Sequence, residues 1–256
     1  MGDLAILAYH SLDTSGSVVS IDPHVFARQM ACAAELGFRG VSMRDAVAQR
    51  ASDGTWPERS VVLTFDDGFA NLHAEALPVL RRHGFTATVF LVSEYMGRSN
   101  LWETPPAGLG TRPVLGWQQA EELAGAGWEI GSHTRTHPDL RSLSAAQLED
   151  EIAGSRAALE QRLGVAVESF AYPYGRYDAR AETVAAREYT AACTTRLNRA
   201  GDESLFGLPR VDAYYLKDER AVRRLLTGKL DHYLTLRRWG RAVRRTLAGD
   251  PVAAKS

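Results

Sequence analysis

Several classes of protein are excluded by what this sequence lacks. Its 256 residues include two cysteines, Cys32 and Cys193, too few for a disulfide framework, and we expect both to be small buried side chains. No run of about 18 apolar residues occurs, so the sequence predicts no membrane-spanning helix. The amino-terminal residues have no basic region and lead directly into a predicted strand. We therefore expect no signal peptide and a cytoplasmic location.

Basic and acidic residues are almost balanced overall, but basic residues are concentrated near the carboxyl terminus. The net charge of -1 gives no electrostatic signature of nucleic-acid binding. Between Lys217 and Arg245, ten basic residues stand against three acidic ones. Residues 230–247 predict a basic amphipathic helix, which could hold the protein at the inner face of an anionic membrane, beside lipid-linked glycans. The alternatives are a helix packed on the main domain, and arginines that bind a phosphate group of a nucleotide sugar or lipid carrier.

Short apolar runs alternate with helical patterns through most of the chain. Residues 61–65 form a continuous apolar run, typical of a strand covered on both faces. A helical pattern follows and ends at Gly84, and a capping box at residues 144–147 begins a long predicted helix that ends near Gly164. About seven such units favour a single-domain α/β barrel of parallel strands. We assign residues 1–216 to the barrel and 217–256 to a basic helical extension that is not an independent domain.

Polar clusters follow three of the predicted strands. Two adjacent carboxylates, Asp66 and Asp67, end one strand. Because they repel each other, keeping both requires a nearby cation or different roles for the two side chains. His133 and His137 follow another strand, and Pro138 favours a turn in which both could contact one ion. Because the carboxyl ends of barrel strands share one face, these clusters are expected to meet. Each motif alone could be a plain turn, but two imidazoles and one carboxylate together predict a catalytic metal site.

These clusters carry a family resemblance. Residues 64–68 (TFDDG), 132–138 (SHTRTHP) and 170–175 (FAYPYG) resemble the three leading motifs of the polysaccharide deacetylase family, the NodB-homology or carbohydrate esterase 4 type. The resemblance covers residues 4–211. It implies a distorted (β/α)7 barrel, a divalent metal ion that is usually Zn²⁺, and removal of acetyl groups from sugars. It further implies that Asp67, His133 and His137 bind the metal and that Asp66 is the general base.

The sequence departs from the family pattern in two places. Ala171 stands where the third motif usually has an arginine, and the late Leu-x-His motif that supplies the general acid has no match. Tyr9-His10 and the Leu-Pro-Arg sequence ending at Arg210 resemble motifs of the poly-N-acetylglucosamine deacetylase subgroup. That resemblance implies that His10 is the general acid and that Arg210 pairs with the base. Without it, His10 would be a capping or core histidine, and Arg210 an exposed charge or a structural ion pair.

The expected function is a metal-dependent hydrolase that releases acetate from an N-acetylated sugar in a polysaccharide, an oligosaccharide or a lipid-linked glycan. The metal and a backbone amide, that of Tyr174, are expected to stabilise the oxyanion. Trp102, in the Gly- and Pro-rich loop at residues 95–114, is a candidate platform for sugar stacking. One alternative is hydrolysis of a small cyclic amide or imide, as in allantoinase-like enzymes. The other is a glycan-binding pseudoenzyme.

Overall fold

Strands and helices alternate along the chain. The computed structural model describes residues 3–102, 110–230 and 235–237. The strands are β1 (Ala5–Tyr9), β2 (Ser11–Leu12), β3 (Ser20–Ile21), β4 (Arg39–Val41), β5 (Ser60–Phe65), β6 (Thr88–Leu91), β7 (Glu129–Ser132), β8 (Ser169–Ala171), β9 (Ala191–Leu197) and β10 (Leu208–Asp212). The α-helices are α1 (Pro23–Glu35), α2 (Met43–Asp53), α3 (Asn71–His83), α4 (Trp117–Gly125), α5 (Ala145–Glu149), α6 (Ser155–Leu163), α7 (Ala179–Glu188) and α8 (Glu219–Leu226).

Parallel pairing closes the sheet into a distorted ring. β1 pairs with β5 on one side, with Ala5 opposite Val61, and with β10 on the other, with Leu7 opposite Val211. From β5 the order continues through β6, β7, β8 and β9 back to β10. The short strand β4 pairs with the first half of β5, whereas β6 pairs with its second half. The prediction of a single-domain, barrel-like α/β fold is confirmed.

Alternating side chains on the strands build two apolar layers. Ile6, Val62 and Phe90 belong to the layer inside the barrel. Met43 of α2 packs in this inner layer as well, so α2 covers the end at which the strands begin. Leu63 of β5 belongs to the outer layer, between the sheet and the surrounding helices. Both cysteines are buried and unpaired, as the sequence predicts.

Local signals set most of the helix ends. The side chain of Asp22 accepts a hydrogen bond from the His24 amide and begins α1, and the capping box at Ser144 begins α5. Gly84 and Gly164 end α3 and α6 with left-handed backbone conformations. The long helix predicted between residues 144 and 164 is helical along its length but not α-helical throughout. A π-helical turn, Asp150–Gly154, separates α5 from α6, and β4 and α2 were not predicted.

The predicted basic extension begins with α8. This helix packs against α1, where Arg28 contacts Glu219 at 3.4 Å and the Cys32 thiol donates to the Glu219 carbonyl oxygen. The amphipathic helix predicted over residues 230–247 lies outside the described residues, apart from residue 230 and residues 235–237. Within the described ranges, no helix is long and apolar enough to cross a membrane.

A fully buried carboxyl group, Glu129, lies at the start of β7. Its Oε2 atom accepts hydrogen bonds from the Thr88 hydroxyl at 2.6 Å and the Arg44 amide at 2.8 Å. The Ser169 hydroxyl also lies beside this carboxyl group. Burial raises the pKa of Glu129 by more than the surrounding hydrogen bonds lower it. The ionised form is therefore disfavoured in the folded state.

Replacing Glu129 by glutamine should increase the free energy of unfolding at neutral pH by about 1–3 kcal/mol. A carboxyl whose pKa is raised on folding binds more protons in the folded state, so the wild type loses stability as the pH rises from the unfolded pKa through the folded one. Glutamine removes this loss and keeps an acceptor for Thr88 and Arg44. Urea unfolding between pH 4 and pH 8 measures both effects, with the exposed Glu58→Gln as control. Parallel pH profiles for wild type and Glu129→Gln would contradict the prediction.

Candidate active site

The carboxyl-terminal ends of the strands bring the predicted clusters together. β5 leads into Asp66 and Asp67, β7 leads into the turn that carries the two histidines, and β8 leads into the segment of Tyr174. β1 ends next to His10, and Arg210 lies within β10. β1 and β5 are adjacent, with Tyr9 opposite Phe65. The residues that follow these two strands therefore lie next to each other, although they are far apart in the sequence.

Asp67, His133 and His137 form a compact, buried triad that could hold a metal ion. The Oδ1 atom of Asp67 lies 3.6 Å from Nε2 of His133 and 3.4 Å from Nε2 of His137, and the two Nε2 atoms are 3.2 Å apart. Tetrahedral zinc with bonds of about 2.0–2.2 Å separates neighbouring ligand atoms by about 3.3–3.6 Å. The donor set and its spacing therefore fit a divalent ion.

Neighbouring groups orient both imidazoles. Nδ1 of His133 lies 2.6 Å from the carbonyl oxygen of Ala171. The N–H donated there leaves the lone pair of Nε2 directed at the other two side chains, the usual outer hydrogen bond of a metal-binding histidine. Nδ1 of His137 lies 2.9 Å from the Tyr174 hydroxyl. Burial, together with the nearby His137, lowers the pKa of His133 to about 4, so its imidazole is neutral near pH 7 and able to bind a metal.

Unusual backbone conformations cluster around the triad. Asp67, Thr134, His137 and Tyr174 have φ values of 68°, 70°, 63° and 58°, in the left-handed region that residues with a Cβ atom rarely adopt. The Thr134 hydroxyl accepts a hydrogen bond from the His137 amide at 2.9 Å, which closes the turn predicted for this segment. Such strain is typical of functional sites, because the surrounding structure must impose it.

Arg210 and Asp66 form a buried, bidentate ion pair. The two guanidinium Nη atoms each lie 2.7 Å from one carboxylate oxygen, and Nε donates to the Thr194 carbonyl oxygen at 2.9 Å. Burial alone would raise the pKa of Asp66, but the charge and hydrogen bonds of Arg210 outweigh it and hold that pKa well below its usual range. Of the two alternatives for Arg210, an exposed charge is wrong, because its side chain is 1% exposed.

His10 lies on the other side of the same carboxylate. Its Nε2 atom is 3.8 Å from Oδ2 of Asp66, and its side chain is 20% exposed. A core position is therefore wrong for His10, because the imidazole lies between a buried carboxylate and the protein surface. Segment 11–12, which follows His10, is fixed by Asn71, which donates to the Ser11 hydroxyl at 2.8 Å and accepts from the Leu12 amide at 3.3 Å.

Two contacts in the site were not predicted from the sequence. Trp102 is 2% exposed and packs on the ring of His137, with the ring centres 4.7 Å apart. The expectation of an open sugar-stacking face on Trp102 is therefore wrong. Tyr174 was selected for its backbone amide, yet its hydroxyl group contacts His137. Gly175 lets this segment approach β9, because a Cβ atom there would lie 2.1 Å from Oγ1 of Thr195.

Comparisons with known proteins identify the family. Residues 53–192 match the family described as polysaccharide deacetylase. The protein YxkH of Bacillus subtilis (strain 168), named as a polysaccharide deacetylase, is 29% identical over 212 residues, which cover 81% of this chain and 70% of YxkH. A poly-beta-1,6-N-acetyl-D-glucosamine N-deacetylase of Staphylococcus epidermidis is 28% identical over 131 residues, 48% of this chain and 43% of the relative.

A solved structure shares the fold over nearly its whole length. The Streptococcus pyogenes deacetylase PplD, solved in complex with acetate, superposes with a TM-score of 0.76 at 24% identity. The match covers 88% of this chain and 98% of PplD. With the family match spanning more than half of the sequence, these likenesses confirm the predicted resemblance. The chain therefore belongs to the polysaccharide deacetylase family and is an enzyme that deacetylates a sugar.

Proposed function

We propose that this enzyme hydrolyses the N-acetyl group of an amino sugar within a glycan, with a divalent metal ion bound at the active site. The observation that carries the proposal is the position of the buried Asp67–His133–His137 triad directly beside the ion-paired Asp66 and the partly exposed His10. The Staphylococcus epidermidis relative named for poly-N-acetylglucosamine supports N-acetylglucosamine units as the substrate class. The products are acetate and a free amino sugar.

We assign the metal to Asp67, His133 and His137. These residues would hold a divalent ion, with Zn²⁺ the best match to the donor set, and the ion would supply polarisation of the acetyl carbonyl and a lowered pKa of water. Only three protein side chains supply ligands in this assignment. That number leaves open positions for water and substrate, as in other catalytic zinc sites.

We assign the general base to Asp66. Because Arg210 keeps its carboxylate ionised, Asp66 can accept a proton as water attacks the acetyl carbon. Both Nη atoms of Arg210 hold this carboxylate in one orientation. The Thr64 hydroxyl, which accepts from Nη1 of Arg210 at 3.0 Å, helps to fix the guanidinium group. We assign the backbone amide of Tyr174, in its left-handed turn, to the oxyanion that forms on the acetyl oxygen.

We assign the general acid to His10. As the carbon–nitrogen bond of the tetrahedral intermediate breaks, the electron pair passes to nitrogen, and the protonated imidazole supplies the proton that completes the amine. Without that proton an amine is a poor leaving group. The distance of 3.8 Å between Nε2 of His10 and Oδ2 of Asp66 supports acid and base roles at one site.

His10→Ala should lower the rate of N-acetyl hydrolysis by roughly 10²–10⁴-fold. It should also change the shape of the kcat/KM profile against pH, because the group assigned as general acid is then missing. An aryl acetate needs no protonated leaving group, so its hydrolysis should fall far less. Steady-state assays of both substrates across pH measure these effects, with the exposed His24→Ala as control. Equal losses on both substrates with an unchanged pH profile would return His10 to a structural role.

The substrate assignment is tested by acetate release from N-acetylated oligosaccharides, O-acetylated sugars and small cyclic amides, each with and without a chelator. The proposal expects chelator-sensitive release from the N-acetylated oligosaccharides. Turnover of only the cyclic amides would favour the allantoinase-like alternative. Glycan binding without any acetate release would favour the pseudoenzyme.

A further inference from the structure

The two-histidine turn, residues 133–137, is held by the chain on two sides. On one side, the 3-10 turn Ser93–Tyr95 donates backbone hydrogen bonds to it. The Ser93 amide donates to the Thr134 carbonyl oxygen at 3.2 Å, and the Glu94 amide donates to the Arg135 carbonyl oxygen at 3.0 Å. This side fixes the carbonyl groups of the turn and leaves its remaining amides to be bonded elsewhere.

Those amides are bonded by Glu151, a buried side chain that was not selected from the sequence. Its Oε2 atom accepts from the backbone amides of Arg135 and Thr136, both at 2.9 Å. Its Oε1 atom accepts from the Thr136 hydroxyl at 2.6 Å. One carboxylate thereby fixes two consecutive peptide groups between the two histidines, through bonds that its charge strengthens.

The local helix geometry is specialised at the same place. Glu151 lies in the π-helical turn Asp150–Gly154. Such turns are rare in proteins, and many of those that occur lie at functional sites. Gly154 permits a close approach, because a Cβ atom there would lie 3.3 Å from Cδ of Arg135. The side chain of Arg135 in turn contacts the carboxylates of Glu94 and Asp150. The π-helical turn and the two-histidine turn are therefore built against each other.

We propose that Glu151 is a positioning residue of the metal site. Thr134 and His137 hold left-handed backbone conformations, which the turn would not keep without contacts from outside. By fixing the peptide groups between the histidines, the Glu151 carboxylate sets the separation of the two Nε2 atoms. This inference rests on the proposed role of His133 and His137 as metal ligands.

The test measures metal affinity directly. Full-length wild type, Glu151→Ala and Glu151→Gln are stripped of metal, and Zn²⁺ binding is measured by competition with a chromophoric chelator. Glu151→Ala should bind Zn²⁺ roughly 10–100-fold more weakly. Glu151→Gln should restore most of the affinity, because its amide oxygen accepts the two backbone N–H groups and its NH₂ donates to Thr136. The control is Glu149→Ala. Glu149 lies two residues before Glu151 in the same helical segment, and its exposed carboxylate pairs with Arg187 of α7.

The temperature is chosen so that every metal-free variant is folded by circular dichroism, because a merely structural loss would then leave Zn²⁺ affinity unchanged. If Glu151→Ala does not fold, Thr136→Val removes one of the three hydrogen bonds at an exposed residue and should weaken Zn²⁺ binding to a smaller degree. Unchanged affinity in the folded Glu151→Ala, or in Thr136→Val where that variant replaces it, overturns the inference. A wild type that binds no Zn²⁺ at all contradicts the proposed function instead.

Discussion

His137→Ala is expected to lower acetate release from an N-acetylated oligosaccharide by on the order of 10³-fold or more, the scale seen when one member of a catalytic unit is removed. The triad supplies three ligand atoms, all within 4.8 Å of one another, so losing one leaves two protein ligands. The bound metal should be lost together with the activity. The measurement combines acetate release with the metal content of the purified protein. Chelation of the wild type should give the same loss, and added Zn²⁺ should reverse it.

The matched control is His73→Ala. His73 lies in α3, and its imidazole contacts Glu122 of α4 at the protein surface. Its loss should leave both metal content and rate unchanged. Full activity of the wild type after verified removal of metal would contradict the metal-dependent mechanism, whatever the behaviour of the variants.

Arg210→Met is expected to destabilise the folded protein by about 3–5 kcal/mol at neutral pH, the usual cost of leaving one charge of a buried pair without its partner. In the wild type the lowered pKa of Asp66 contributes stability above the unfolded pKa, and this contribution is lost as the pH falls through the folded pKa. In the variant, burial without the guanidinium raises the pKa of Asp66. The pH dependence of the contribution of Asp66 to stability then reverses, so the variant should lose stability as the pH rises from about 4.

Urea unfolding as a function of pH measures this reversal. The double variant Asp66→Asn, Arg210→Met should recover part of the loss, because no charge is then left buried. Arg28→Met breaks an exposed pair with Glu219 and should cost less than about 1 kcal/mol. If Arg210→Met and Arg28→Met were equally mild, the buried pair would not be needed to hold Asp66 ionised.

The strand ends were predictable because the signal for each is local. The two aspartates follow a continuous apolar strand, and Pro138 disfavours a helix around the histidines, so turns at strand ends follow from neighbouring residues alone. The position of the Arg210 side chain could not be predicted from its neighbours in the sequence. It depends on the pairing of β10 with β9, where the register shifts between Leu208 and Arg210, and on the inward-facing position of that residue.

The π-helical turn escaped prediction for a different reason. The capping box at Ser144 and the left-handed Gly164 mark the two ends of the segment correctly. Between them the apolar pattern is that of an ordinary helix, and one π-helical turn changes it too little to be recognised. The π-helical turn is explained by its contact with the two-histidine turn, where Glu151 accepts hydrogen bonds from the amides of Arg135 and Thr136.

Because the sheet closes into a ring, the order of the residues around the site differs from their order in the sequence. β1 is the first strand in the chain. Because it lies between β5 and β10, it nevertheless has a neighbour on each side, like every other strand of the ring. A side chain contributed from the start of the polypeptide can therefore occupy the same place as one contributed from its end. Circular permutation or motif exchange in such a fold can move the residue proposed as general acid along the sequence and leave Asp66 where it is.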